Sequence, residues 1–118
     1  MLPVKYRIKK EFLPLVLKQN KVFSSPNFNL RLHNRFEAEP GFNKQTRLAV
    51  IIPNKITPLS TGRHLLKRRI HAVLEKVWPA TKNNLDIIVQ IKENASKLDF
   101  SDLDKEIIDL LRTAKVLK

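Results

Sequence analysis

Two runs of almost uninterrupted apolar sequence, RLAVIIP at 47–53 and LDIIVQI at 85–91, flank a long stretch of helical periodicity. Runs of this kind read as strands buried on both faces, a pattern typical of parallel pairs covered by helices. Between them Leu66, Ile70, Val73, Leu74 and Val77 recur at helical spacing, with Ser60 or Thr61 placed to cap the helix and Trp78-Pro79 to close it. Strand, helix and strand in that order form a βαβ unit, so the two strands are expected to be parallel neighbours bridged by the helix.

The rest of the chain fits around that unit. A short helix is expected from about Lys9 to Leu17, with Pro14 in its first turn. After the break at Ser24-Ser25-Pro26, NFNLRLH alternates cleanly: Phe28, Leu30 and Leu32 on one face, Asn29, Arg31 and His33 on the other. Pro40-Gly41 marks a loop. Near the C-terminus Ser101 with Asp104 resembles a capping box, and Leu103, Ile107, Leu110, Leu111 and Ala114 give a last helix its buried face. The expected fold is one α/β domain, an α+β sandwich spanning 1–118. It has a mixed sheet of about four strands and three helices, in the order αββαβα or αβββαβα.

Charge narrows the function. There are 23 Lys and Arg against 11 Asp and Glu, a net of +12. Residues 1–82 carry 17 Lys and Arg against Glu11, Glu37, Glu39 and Glu75, a net of +13; residues 83–118 hold six against seven, a net of −1. Such a field repels itself in a compact chain and suits a polyanion, with nucleic acid favoured over a membrane surface. The helix from 60 concentrates it: GRHLLKRRIH at 62–71 holds four Lys and Arg and two His. His64, Lys67, Arg68 and His71 fall at i, i+3, i+4 and i+7, a face opposite the core stripe, with Arg63 at the helix entrance. Cations in the first turns oppose the helix dipole, so an anionic ligand explains them better than stability does.

Other classes are disfavoured. With no Cys there is no disulfide framework or thiolate metal site, compatible with a cytoplasmic setting. The N-terminus lacks the apolar run of a signal peptide, so a soluble, unprocessed chain is expected. Four scattered acids in the basic region do not suit a two-metal nuclease, His33, His64 and His71 have no apparent acid partner, and two glycines rule out a glycine-rich phosphate loop. No catalytic and no metal-ligating residue is expected on this chain.

The chain resembles the protein subunit of bacterial ribonuclease P over essentially its whole length. KKEF at 9–12 is similar to the family's first helix, FSSPNFNL at 23–30 to its strand segment, and DIIVQI at 86–91 with SDLDKEIIDLL at 101–111 to its last strand and helix. The family's signature helix reads approximately Arg-Asn-Arg-x-Lys-Arg-x-x-Arg. RHLLKRRIH at 63–71 keeps Arg63, Lys67 and Arg68 but has His64, Leu65 and His71 at three other motif positions; the loop before it keeps Lys55. The resemblance implies a left-handed βαβ crossover, against the general rule. It also implies that Arg63, Lys67 and Arg68, with Lys55, His64 and His71 by position, contact a catalytic RNA. Phe12, Val16, Phe28 and Arg31 would line or flank a cleft for the single-stranded 5′ leader of precursor tRNA. The implied function is endonucleolytic removal of that leader by a ribonucleoprotein, with the active site and its Mg2+ on the RNA subunit and no cofactor on the protein. The alternative, a ribosomal or general RNA-binding module, shares the basic helix but has no part in hydrolysis.

Overall fold

The computed structural model describes residues 6–9, 13–18, 21–34, 45–53, 60–92 and 99–117, except for the side chains at 15, 60–63 and 100. Its elements are α1 (Leu13–Lys18), β1 (Lys21–Ser24), β2 (Phe28–Asn34), β3 (Arg47–Ile51), α2 (Ser60–Val77), a 3-10 turn (Trp78–Ala80), β4 (Leu85–Ile91) and α3 (Phe100–Thr113). The order is therefore αβββαβα, the second of the two expected. The sheet runs β1-β2-β4-β3, with β1–β2 and β2–β4 antiparallel and β3–β4 parallel. As the apolar runs predict, β3 and β4 are parallel neighbours joined through α2.

Burial separates the two strands of that unit. β4 is central, and six of its seven residues are buried. β3 is the outer strand of the sheet, and its Ala49, Val50 and Ile51 are only half-buried; the expectation of burial on both faces holds for β4 alone. The outer edge of β3 meets the N-terminal segment, where Arg7 bridges to Leu48 and the Ile8 amide donates to the Leu48 carbonyl at 2.9 Å. An edge that would otherwise offer unpaired backbone groups is partly closed in this way.

One strand is not located by the sequence reading. β1 has only four residues, KVFS, and pairs with β2 through Lys21↔Leu32 and Phe23↔Leu30. The turn at 25–27 is held by α3: Glu106 accepts from Ser25 Oγ at 2.5 Å, from the Asn27 amide at 2.8 Å and from Asn27 Nδ2 at 2.8 Å.

The two faces of the sheet differ. On one, Phe28, Leu30, Ile87, Val89, Ile91 and Leu48 form a continuous core with Leu66, Ile70, Val73 and Leu74 of α2 and Leu103, Ile107, Leu110 and Leu111 of α3. The stripes expected on both helices are thus the stripes that are buried. On the other face stand Asn29, Arg31 and His33 of β2 and Asp86, Ile88 and Gln90 of β4. Helix α1 lies against β2, and Val16 and Ile88 are both fully buried but outside the main core, which puts α1 over this second face. Pro14 sits in the first turn of α1, where its missing N–H costs nothing.

Across the second face, Arg47 and Asp86 are directly opposite in the β3–β4 ladder. Arg47 Nε donates to Asp86 Oδ1 at 2.8 Å and Nη2 to Oδ2 at 3.0 Å, with both side chains almost completely buried. His33, opposite Asp86 on β2, is buried at the same end.

Three expectations need correction. Phe28 is not a surface platform: it is 0% exposed and belongs to the core beneath α2 and α3. It lies three residues from Arg31, so strand alternation puts the two on opposite faces of the sheet. Second, Ser101 does not begin α3. The N-cap is Asp99, no side-chain cap bond is formed, and Asp104 is drawn instead to Arg69 of α2, whose Nε and Nη2 donate to it at 3.1 and 2.6 Å. Third, His71 does not join His64 and Arg68 at the surface but is 1% exposed. The far half of the expected basic face is covered where the N-terminal segment passes: Tyr6 packs edge-on against Trp78, with ring centroids 5.9 Å apart.

Burial holds the His71 imidazole down at about 4, helped by the nearby Arg7 and Lys67 charges and opposed by Glu75. Unfolding returns it to 6.5. The folded chain thus binds fewer protons than the unfolded one between those values, and the stability carried by neutral His71 is complete above pH 6.5 and lost as pH falls toward 4. Thermal unfolding at pH 7 and pH 5 should reveal a loss of about 1–2 kcal/mol, and His71→Gln should flatten that dependence. An equally steep dependence in the variant would assign it to other groups.

The core position of Phe28 makes a separate forecast. Phe28→Ala should lower stability by about 3–5 kcal/mol, the usual cost of emptying an aromatic site. A melting temperature close to that of the parent would return Phe28 to the surface.

Candidate nucleic-acid interface

The exposed cations of α2 follow from where its apolar stripe points. Leu66, Ile70 and Leu74 face the sheet, so His64, Leu65 and Arg68 are turned to solvent, with Lys67 half-buried on the flank. The first turn of α2 contains no acid. Its free backbone N–H groups and positive dipole end therefore add to the side-chain charge rather than cancelling it. Arg63 lies in this first turn by its backbone. Arg69 is on the side facing α3 and is engaged by Asp104, so it contributes little to the outward field. Lys55 lies outside the described residues.

The structure thus brings together His64, Lys67 and Arg68 of the expected RNA-facing set and removes His71, whose imidazole is both buried and neutral at pH 7. Leu65 is the exception within the patch: an apolar side chain 57% exposed between cations. An exposed leucine at this position offers an apolar surface, where an arginine would offer hydrogen-bond donors.

The second expected region splits. Arg31 is half-buried on the face shared with α1, and its Nε donates to Gln90 Oε1 at 3.4 Å, a long contact. Val16 of α1 is 0% exposed, so it packs onto this face and offers no surface to a ligand. Phe28 is on the opposite face, and Phe12 lies outside the described residues. The side chains grouped with Arg31 are those at even spacing and across the ladder. Val22 pairs with Arg31 and is 48% exposed, and Gln90 and Asn29 are one step along. Sequence reasoning missed Val22 because β1 itself was missed; its parity relative to Arg31 was the available signal.

Among the described acids, three are held in architectural contacts: Asp86 by Arg47, Asp104 by Arg69, and Glu106 by Ser25 and Asn27. Groups of three or more metal-ligating side chains do not occur among the described residues. The surface presented is therefore cationic with polar and apolar edges, suited to phosphate contacts and to van der Waals grip on a flexible polyanion.

The "Ribonuclease P protein component" of Pseudanabaena sp. is 29% identical over 72 residues, 61% of this chain and 62% of that protein; the chain thus spans about three fifths of that relative's length. The protein of the same name from Cyanothece sp. is 24% identical over 128 residues, covering 99% of this chain and 98% of the relative. Among solved structures, a mutant RNase P protein of Staphylococcus aureus superposes with a TM-score of 0.85 at 22% identity, over 96% of this chain and 91% of that one, a likeness of fold. The Ribonuclease P family model matches residues 2–115. With nearly every residue inside that match, the chain belongs to the ribonuclease P protein family.

Proposed function

We propose that this chain is the protein component of a ribonuclease P ribonucleoprotein and promotes endonucleolytic removal of the 5′ leader from precursor tRNA. The observation that carries the reading is the uncompensated positive start of α2, exposed on a chain of this family. His64, Lys67 and Arg68, with Arg63 and Lys55, are proposed to hold phosphates of the catalytic RNA. The second face, through Arg31, is proposed to receive the leader, with Val16 packed onto that face; Phe12, outside the described residues, is proposed to take part as well.

Phosphate contacts of the first kind fix position without reading sequence. The second face combines one cation with the exposed Val22 and the amides of Asn29 and Gln90, a grip that tolerates sequence variation in a single strand. The protein's part is then to bind and to position, while cleavage and its magnesium ions are assigned to the RNA subunit. Among the described residues, Asp86 and Asp104 are engaged by arginine and Glu106 by the turn at 25–27. None of the helices among the described residues is long and apolar enough to cross a membrane, and the site of action is proposed to be the cytoplasm.

Reconstitution tests the proposal. Added to its cognate ribonuclease P RNA at low magnesium, the chain should accelerate precursor tRNA cleavage; binding without acceleration would favour a general RNA-binding module. Arg68→Glu should weaken association with the RNA while leaving the melting temperature nearly unchanged, since the side chain is exposed and outside the core. It should also reduce the slope of log affinity against log salt by about one. Unaltered affinity in that variant would move the interface off α2.

A further inference from the structure

A cavity of about 510 Å³ opens where β1 begins, β2 ends and α3 finishes, and its lining includes Lys21, His33, Asn34, Lys82 and Lys115. The three lysines come from separate parts of the chain: the first residue of β1, the turn before β4, and the second residue beyond the end of α3. All three are exposed, and among the described residues none of their ammonium groups has an acidic partner. Convergence of like charges on one concavity raises the self-energy of the fold unless a negative group enters it.

The backbone around the cavity is tied down. The Lys82 amide donates to the Val116 carbonyl at 2.8 Å, the Lys82 carbonyl accepts from Thr46 Oγ1, and Thr81 bridges antiparallel to Leu117. Lys115 occupies the left-handed region at φ 59, with the Val116 amide returning to the Leu111 carbonyl at 3.1 Å. That is the position after a helix where glycine or asparagine is preferred, because Cβ crowds the backbone there. The backbone of Lys115, one of the residues lining the cavity, is thus held in a defined conformation. The helix C-terminus favours a cation at Lys115, but it gives no reason for Lys21 or Lys82 to share the site.

We propose that this cavity binds a phosphate group, as an anion site separate from the basic start of α2. The two lie at opposite ends of the sheet. α2 ends only a few residues before Lys82, and its 18 residues carry its first turn roughly 27 Å away. The ligand is a phosphate carried either by an RNA backbone or by a free nucleotide. The site does not depend on the ribonucleoprotein reading, because it concerns a different part of the molecule and is testable without RNA.

Inorganic pyrophosphate is the first probe, followed by amide NMR of the whole chain. Saturable shifts should appear at Lys21, Lys82 and Lys115. The triple variant Lys21→Gln, Lys82→Gln, Lys115→Asn should bind pyrophosphate at least tenfold more weakly, while Arg68→Gln still shows those shifts. Asparagine suits the left-handed backbone at 115, so the fold should tolerate it. If the triple variant fails to fold, Lys82→Gln alone should weaken pyrophosphate binding about threefold. Two further ligands identify the source. An RNA fragment without terminal phosphates should lose about one unit of salt slope in the triple variant if backbone phosphate is the ligand. ATP should lose affinity with no change in RNA salt slope if a free nucleotide is. Shifts confined to the start of α2, or equal affinity of parent and variant for pyrophosphate, would overturn the site.

Discussion

Arg47 and Asp86 face each other across the parallel pair β3–β4 and are buried together, with two hydrogen bonds between them. Either charge alone in that position would be strongly destabilising, so the pair is tolerated only when both partners are in register. A shift of one residue would set Asp86 against Leu48 and turn the alternating apolar set of β4 away from the helices. The pair therefore specifies alignment more than it adds stability. Because α2 leaves β3 and returns through the turn before β4, its placement over the sheet follows from that alignment. The orientation of its cations follows in turn.

Three of the described acids serve a common purpose. Asp86, Asp104 and Glu106 each join two elements: β4 to β3, α3 to α2, and α3 to the β1–β2 turn. Of the two helix-joining contacts, Asp104–Arg69 is part-exposed and worth little by itself. Their collective effect is on the surface: held at internal joints, these three acids lie away from the exposed His64 and Arg68 near the start of α2. An electrostatic field that looks like excess in composition becomes localised by this distribution.

The βαβ unit and α3 were legible because each has a strong period and enough length to express it; the stripes at 66–77 and 103–114 are the ones buried. β1 was not, since four residues containing a lysine and a serine carry no usable alternation. Phe28 shows a different limit. Its alternation with Leu30 and Leu32 was visible, but which face of a strand meets the helices depends on where α1 crosses, and that is a tertiary fact. For His71, a helical wheel places the residue opposite the core yet knows nothing of the N-terminal segment that passes over it. Asp104 had two plausible uses, a local cap and a partner on α2, and the charged partner prevailed because it offers two directed hydrogen bonds.

The strand order β1-β2-β4-β3 also sets a timetable for synthesis. A two-stranded hairpin such as β1–β2 is marginal by itself, and β3 has no strand to join until β4, the central strand, has left the ribosome. The sheet therefore closes late and as one event, after residue 91 is available. Until then the emerging segment is an unfolded polycation, with 17 Lys and Arg against four acids over residues 1–82. Its charges, dispersed along a flexible chain beside ribosomal RNA, are gathered into defined patches only when the last third arrives.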